Sequence, residues 1–203
     1  MEKIVKEGKN LEELLNQIKE ELNVSEDEIL YSTYEKKGGL FKGTTVVCEA
    51  ISYDNLKEEL KDFLLILLAN MGLEVTFEAK LRENQILINM NSNNNPILIG
   101  KNGQTLKALE TIVRQYVLKD FKTCPTISLD VEGYRIKQEK RIERLAKNVA
   151  REVGKTHMEV ALDNMNSYER RLVHNVLTNN KYVYTESVGE EPNRHVVIKP
   201  RND

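Results

Sequence analysis

Apolar residues recur along this chain in two rhythms, and each change of rhythm marks an element. Leu11, Leu14, Leu15, Ile18 and Leu22 return every three or four residues, which sets them on one helical face. Asn10 with Glu13 supplies an N-cap and a capping-box partner, and Ser25 with Glu28 gives a second capping signal before a short helical turn. Ile4 and Val5 open a short strand. Ile29 to Glu35 reads as a strand, Lys36-Lys37-Gly38-Gly39 breaks it, and Thr44 to Ile51 is a β-branched strand. Residues 1–52 therefore read βαββ.

A second block covers residues 53–132. Asp54 is the expected cap of a helix that buries Leu56, Leu60, Phe63, Leu64, Leu67 and Met71, with Gly72 ending it. Leu73, Val75, Phe77 and Ala79 alternate with polar residues, as a half-buried strand does. After a turn at Arg82-Glu83-Asn84, Ile86, Ile88 and Met90 line one side of a returning strand. A polar loop runs from Asn91 to Asn95, and Asn95-Pro96 opens a short helix. Gly100-Lys101-Asn102-Gly103 interrupts it. Leu106, Leu109, Ile112, Val113, Tyr116 and Val117 then share a helical face, and Ile127, Leu129 and Val131 alternate in a last strand. The order is αββααβ.

The third block, residues 133–203, opens with a long helix from about Tyr134 to Val153, roughly 30 Å at 1.5 Å per residue. Ile142, Leu145, Val149 and Val153 are its expected core face. A loop, a helix from Tyr168 to about Thr178, and strands near Tyr182–Glu186 and His195–Ile198 follow. The predicted class is α+β in three small modules: βαββ, αββααβ with a three-stranded sheet under helices on one face, and helices on a small sheet.

Composition narrows the function. Of 203 residues 40% are hydrophobic and 31% charged, so the chain can bury a core beneath a charged surface. The longest apolar run, Phe63 to Ala69, falls well short of the roughly 20 residues that span a bilayer. With no basic start followed by an apolar stretch, a cytoplasmic protein is expected. Cys48 and Cys124 lie far apart without metal-ligand spacing, as reduced thiols would. His157, His174 and His195 are scattered, and no phosphate-binding P-loop, nucleophile elbow or dinucleotide fingerprint occurs. No enzyme activity, metal or cofactor is therefore expected. Net charge is only −2, yet residues 1–70 are acidic in balance and the remainder basic. Different segments should meet different partners.

Three groups of residues have the chemistry to hold a polyanion. In Gly100-Lys101-Asn102-Gly103, two glycines allow a tight turn whose N–H groups can approach a phosphate chain without Cβ clash. Helix-end amides and Lys101 supply the positive field. The four residues alone are a weak signal, since glycines three apart arise about once by chance in a chain this long. Their setting between two helices carries the weight. Ile97, Leu98, Ile99 and Leu106 are the expected apolar walls of a base-binding groove, and Lys107 and Arg114 extend the charge along the next helix. The second group is Arg170 with His174, four apart on one helical face and expected near solvent beside a core stripe of Leu172, Val173, Val176 and Leu177. Guanidinium forks onto phosphate, and imidazole stacks on a base or hydrogen-bonds a phosphate. An ordinary solvent-facing pair is the competing reading. The third is a stripe of Lys140, Arg144, Lys147, Arg151 and Lys155; Gly133 to Lys155 holds eight basic and three acidic residues. A solvated face is the bland alternative, and a phosphate track would make binding salt-dependent.

The αββα-GxxG-αβ order resembles a type II KH domain, a fold that clamps about four nucleotides of single-stranded RNA. The stretch Leu162-Asp163-Asn164-Met165-Asn166-Ser167-Tyr168-Glu169-Arg170-Arg171-Leu172-Val173-His174, with Thr185 to Arg194 and Val196 to Pro200, resembles an R-3-H domain. Asn164 stands where that family often has Pro. Lys36 to Gly43 loosely resembles the signature of a Jag N-terminal domain, with the aromatic and glycine order altered. The whole chain is similar to the bacterial Jag (SpoIIIJ-associated) family, in the order Jag N-terminal domain, KH, R-3-H. That resemblance implies a cytosolic RNA-binding regulator linked to cell division and envelope synthesis, including cell shape and sporulation, and encoded near a membrane-protein insertase, hence a chaperone connection. Some members pair with a small stand-alone KH protein, so a homo- or hetero-dimer is implied.

The expected ligand is single-stranded RNA, with single-stranded DNA as the other strand chemistry. Ile99 to Gly103, Lys107, Arg114, the helix stripe from Lys140 to Arg151, Arg170 and His174 are the expected contacts. The acidic N-terminal module should repel RNA and bind a protein instead. The rival function is a protein-interaction scaffold at a membrane-associated complex, with both modules used for docking.

Overall fold

The computed structural model describes residues 3–37, 44–82 and 84–201, which divide into two compact units, Met1–Glu132 and Gly133–Asp203. Most of the Lys36–Gly43 signature lies outside the described residues. Six α-helices and nine strands in three separate sheets are present among those described, a mixed α+β fold as predicted.

In the first unit, α1 (Leu11–Leu22) begins at Asn10, whose side-chain oxygen accepts from the Glu12 N–H at 3.0 Å. Strands β1 (Ile4–Gly8), β2 (Ile29–Lys36) and β3 (Thr45–Ser52) form an antiparallel sheet in the order β1-β3-β2. Leu14, Leu15 and Ile18 of the helix pack with Ile29, Cys48 and Ala50 of the sheet. Burial pushes the Cys48 thiol up, which keeps it in the unreactive protonated form.

Helix α2 (Tyr53–Asn70) follows β3 with no loop. Its cap is Ser52, not Asp54: the buried Ser52 Oγ accepts from the Asn55 N–H at 3.1 Å. Asp54 sits in the first turn and pairs with Lys57 at 2.6 Å. The fully buried stripe is Leu56, Leu60, Leu64 and Leu68. Phe63 and Leu67 are half-buried and Met71 is 47% exposed, against expectation. The end of this helix is apolar on nearly every side, so periodicity could not rank its faces. Gly72, at φ +76°, terminates it, and the Leu73 N–H closes back onto the Leu68 carbonyl at 3.0 Å.

Strands β4 (Val75–Arg82) and β5 (Gln85–Ser92) form a hairpin, and β6 (Thr126–Val131) joins β5 in parallel, in the order β4-β5-β6. Parallel pairing needs a crossover. Here the crossover is α3 (Asn95–Ile99), the glycine loop and α4 (Gln104–Leu118). Ile86, Ile88, Met90, Leu129 and Val131 of the sheet are buried, as are Leu106, Leu109, Val113 and Val117 of α4. Ile112, expected in that face, is exposed. The first sheet is tied to the turn that follows α4: Lys3 Nζ reaches Glu49 at 2.6 Å and Asp120 at 3.6 Å, and Ser32 Oγ donates to the Asp120 carbonyl at 3.3 Å.

The second unit contains α5 (Tyr134–Thr156), β7 (Val160–Asn164), α6 (Ser167–Leu177), β8 (Val183–Val188) and β9 (His195–Pro200), with sheet order β7-β9-β8. Its core joins Ile142, Ala146, Ala150 and Val153 of α5 to Val173 and Leu177 of α6 and to Val183, Val196 and Ile198 of the sheet. Leu145 is 40% exposed, and the small Ala146 and Ala150 take the inward positions instead. Strand β7, expected as loop, is only five residues long and presents a single buried side chain, Leu162, so alternation had little to register.

Candidate functional site

Begin with the glycine loop of the first unit. Asn95 Oδ1 accepts from the Ser92 N–H at 2.7 Å and fixes the corner that launches α3. Helix α3 ends at Gly100, whose N–H donates to the Pro96 carbonyl at 2.9 Å. Gly100 has φ 70° and ψ 179°, a conformation open essentially to glycine alone. A Cβ there would collide with the Thr105 side chain and stand 2.8 Å from the Thr105 nitrogen. Asn102 (φ 52°) and Gly103 (φ 77°) are both left-handed. Asparagine tolerates that region far better than most residues, so the turn does not need a third glycine.

Three such positions in four residues turn the chain outward. Lys101 and Asn102 are exposed, and their side chains have no hydrogen-bond or ionic partner among the described residues. The bend runs straight into the N-terminus of α4, whose first N–H groups carry partial positive charge. Lys107 and Arg114 stand exposed further along α4. Ile97 is 48% exposed and Ile99 half-buried, so these two can meet a ligand. Leu98 and Leu106 cannot serve as groove walls as expected; both are buried in the core and anchor the loop from beneath.

In the second unit, Asn166 caps α6 by accepting from the Tyr168 and Glu169 N–H groups at 3.0 Å each, and Glu169 returns a bond to the Asn166 N–H at 3.0 Å. This box sets the rotation of the helix. Arg170 is consequently not on a solvent-facing shoulder. It is 9% exposed, and its Nη1 donates to the Met165 carbonyl at 2.7 Å and to Glu191 Oε1 at 3.0 Å, while Nη2 donates to Ser167 Oγ at 3.3 Å. His174 is exposed, with Nδ1 2.8 Å from Thr185 Oγ1 on β8.

Arg170 and His174 still share a cavity of about 200 Å³, together with Arg171, Thr185, Ser187 and Val196. Sequence reasoning missed Arg171, Thr185 and Ser187. Strand alternation carried part of the signal, because Thr185 and Ser187 lie on the same side of β8 as the buried Val183. Lys140, Arg144, Lys147, Arg151 and Lys155 are all exposed along α5, and among them Lys147 has a loose acidic neighbour, Glu143, at 3.9 Å. The described residues contain no group of three or more His, Cys, Asp or Glu able to hold a metal ion. They contain no helix long and apolar enough to cross a membrane.

Residues 57–126 match the family model of the KhpA/KhpB KH domain, and residues 140–200 match that of the R-3-H domain. These spans cover the glycine loop and the Arg170–His174 cavity respectively. RNA-binding protein KhpB of Clostridium symbiosum is 34% identical over 208 residues, covering 100% of this chain and 94% of its own. The chain belongs to the KhpB (Jag) family. The KhpB of Bacillus subtilis is 26% identical across 98% of both chains. That of Lactiplantibacillus plantarum is 34% identical over 69% of this chain but only 44% of its own, so family members differ greatly in length. The match to the Clostridium symbiosum KhpB takes in the N-terminal βαββ sheet as well as the KH and R-3-H domains.

Proposed function

We propose that the chain is a non-catalytic regulator that binds single-stranded RNA through its KH loop and its R-3-H cavity. One observation carries this reading: a bend that needs Gly100 displays the exposed Lys101 and Asn102, whose side chains have no partner among the described residues, at the start of α4. Backbone amides and Lys101 hold the sugar-phosphate chain there, Ile97 and Ile99 lie under the bases, and Lys107 and Arg114 continue the track. His174 and the stripe Lys140, Arg144, Lys147 and Arg151 form a second contact region. The relatives' shared name, RNA-binding protein, supports the choice of ligand. In this reading the modules are residues 1–52, 53–132 and 133–203, and the protein works in the cytoplasm. The acidic N-terminal module binds a protein, the KH domain can pair with another KH protein, and the regulation bears on cell division and envelope synthesis.

A fluorescently labelled single-stranded RNA titrated at several salt concentrations tests the core of this. Affinity should fall steeply as salt rises, because each neutralised phosphate releases condensed cation. Replacing Lys101 and Asn102 by Asp should weaken binding at least about tenfold without lowering the melting temperature, since both side chains are exposed. Equal binding by that variant removes the loop from the site. A second reading, protein docking, draws on the exposed apolar Leu65, Ile66 and Met71 at the end of α2. It calls for little RNA binding at any salt.

A further inference from the structure

The R-3-H cavity holds two adjacent arginines in opposite circumstances. Arg170, the arginine of the motif, is buried, and three hydrogen bonds to Met165, Ser167 and Glu191 occupy both of its terminal nitrogens. Its charge already faces the Glu191 carboxylate at 3.0 Å. Three of its five N–H groups are thus engaged, and a phosphate fork at Nη1 would have to displace the bonds to Met165 and Glu191. Arg171 lines the same cavity, is exposed, and its side chain has no hydrogen-bond or ionic partner among the described residues.

Other groups around Arg171 suit an anion. His174 and the hydroxyls of Thr185 and Ser187 line the cavity with it. Arg194 is not among the lining residues but borders them, its Nε donating to Ser187 Oγ at 3.2 Å, which leaves its terminal nitrogens for another acceptor. Glu186 also lines the cavity, and its carboxylate is engaged by Lys199 at 2.7 Å. The cavity thus offers unengaged guanidinium donors and small hydroxyl donors, while its neighbouring carboxylates already have cations.

We propose that Arg171, with Arg194, is the side chain that meets nucleic-acid phosphate in this cavity, and that the motif arginine Arg170 is a positioning residue. Arg170 ties the β7–α6 corner at Met165 to the β8–β9 connection at Glu191, and so holds His174, Thr185 and Ser187 in place. This rests on the RNA-binding reading and assigns roles within it.

The test uses the full chain, a labelled single-stranded RNA of mixed sequence and a salt series, below the melting temperature of every variant. Arg171→Gln should weaken binding on the order of tenfold at low salt, flatten the log–log salt slope by about 0.7–1, and leave the melting temperature unchanged. Arg171→Lys should restore the slope, because it restores the charge. Arg170→Gln should lower the melting temperature while keeping the parent salt slope, since no phosphate contact is removed. The proposal is overturned if Arg171→Gln binds like the parent, or if Arg170→Gln carries the slope loss at an unchanged melting temperature. Failure of the parent chain to bind RNA at any salt overturns the RNA-binding reading itself, a result that no variant comparison can mimic.

Discussion

A single methyl group at position 100 has two costs of different origin. It would place a side chain at φ 70° and ψ 179°, and it would press into Thr105 at the base of α4. Gly100→Ala should therefore destabilise the loop by about 1–3 kcal/mol, read as a lower urea midpoint, and weaken RNA binding by displacing the loop amides. Asn102→Gly, at φ 52°, should change stability by well under 1 kcal/mol, because that left-handed site already suits both residues. The contrast separates a position that needs glycine from one that merely accepts it. Arg170 sets a comparable contrast in the other domain. Arg170→Gln removes charge-assisted bonds to a carbonyl and a carboxylate, but Glu191 is 60% exposed and regains water. Its loss should cost about 1–3 kcal/mol, visible as a lowered thermal midpoint, rather than the larger penalty of stranding a buried charge.

Elements were legible in the sequence where a regular face repeated over several turns or strand pairs. Leu106, Leu109, Val113 and Val117 defined α4, and Ile86, Ile88 and Met90 defined the inward side of β5, and all seven are buried. The pattern gave out where the deciding contacts come from elsewhere in the chain. Arg170 is buried by Met165 and by Glu191, which is 21 residues away across a hairpin connection, and a spacing of four on one helix cannot encode that. Met71 is misplaced because apolar residues crowd the end of α2 on several sides, and Leu145 because the small Ala146 and Ala150, weak signals in an apolar spacing, take the inward positions of α5. One pairing between elements makes a pH-dependent prediction. Phe63 of α2 stacks on Tyr116 of α4 with ring centroids 4.1 Å apart, and the Tyr116 hydroxyl donates to Glu59 at 2.8 Å. Burial first, then that bond to Glu59, pushes the Tyr116 phenol up from 10.0 to about 12. The folded state thus favours the neutral phenol. Its contribution is complete below pH 10, the unfolded value, and is lost as pH climbs through about 12. Tyr116→Phe keeps the stack and removes the titration. Urea midpoints of parent and variant should hold a constant gap up to about pH 10 and then shift against the parent, whereas a constant gap throughout would mean that Tyr116 ionises as freely folded as unfolded.

For the molecule as a whole, the question is what the two proposed binding sites achieve on one chain. The KH loop lies in the first compact unit and the R-3-H cavity in the second, and only Glu132 and Gly133 separate β6 from α5. On the proposed reading, once one site has engaged a strand, the other meets it at raised effective concentration, provided the strand can reach both. On the proposed reading charge acts in the same direction: the acidic balance of residues 1–70 would turn RNA away from the N-terminal module, and the exposed basic stripe of α5 would draw it toward the second unit. Affinity should then depend on RNA length in steps. Oligonucleotides that cover one site should bind weakly. Those long enough for both should gain up to about 10²–10⁴, with the gain shrinking as salt is added. Removing either site, by Lys101→Asp with Asn102→Asp or by Arg171→Gln with Arg194→Gln, should erase the step while leaving the short-strand affinity of the intact site untouched. Dissociation constants against RNA length for these three chains decide the matter. A parent curve that rises smoothly, as counting overlapping binding positions alone would give, means that the two domains hold separate strands.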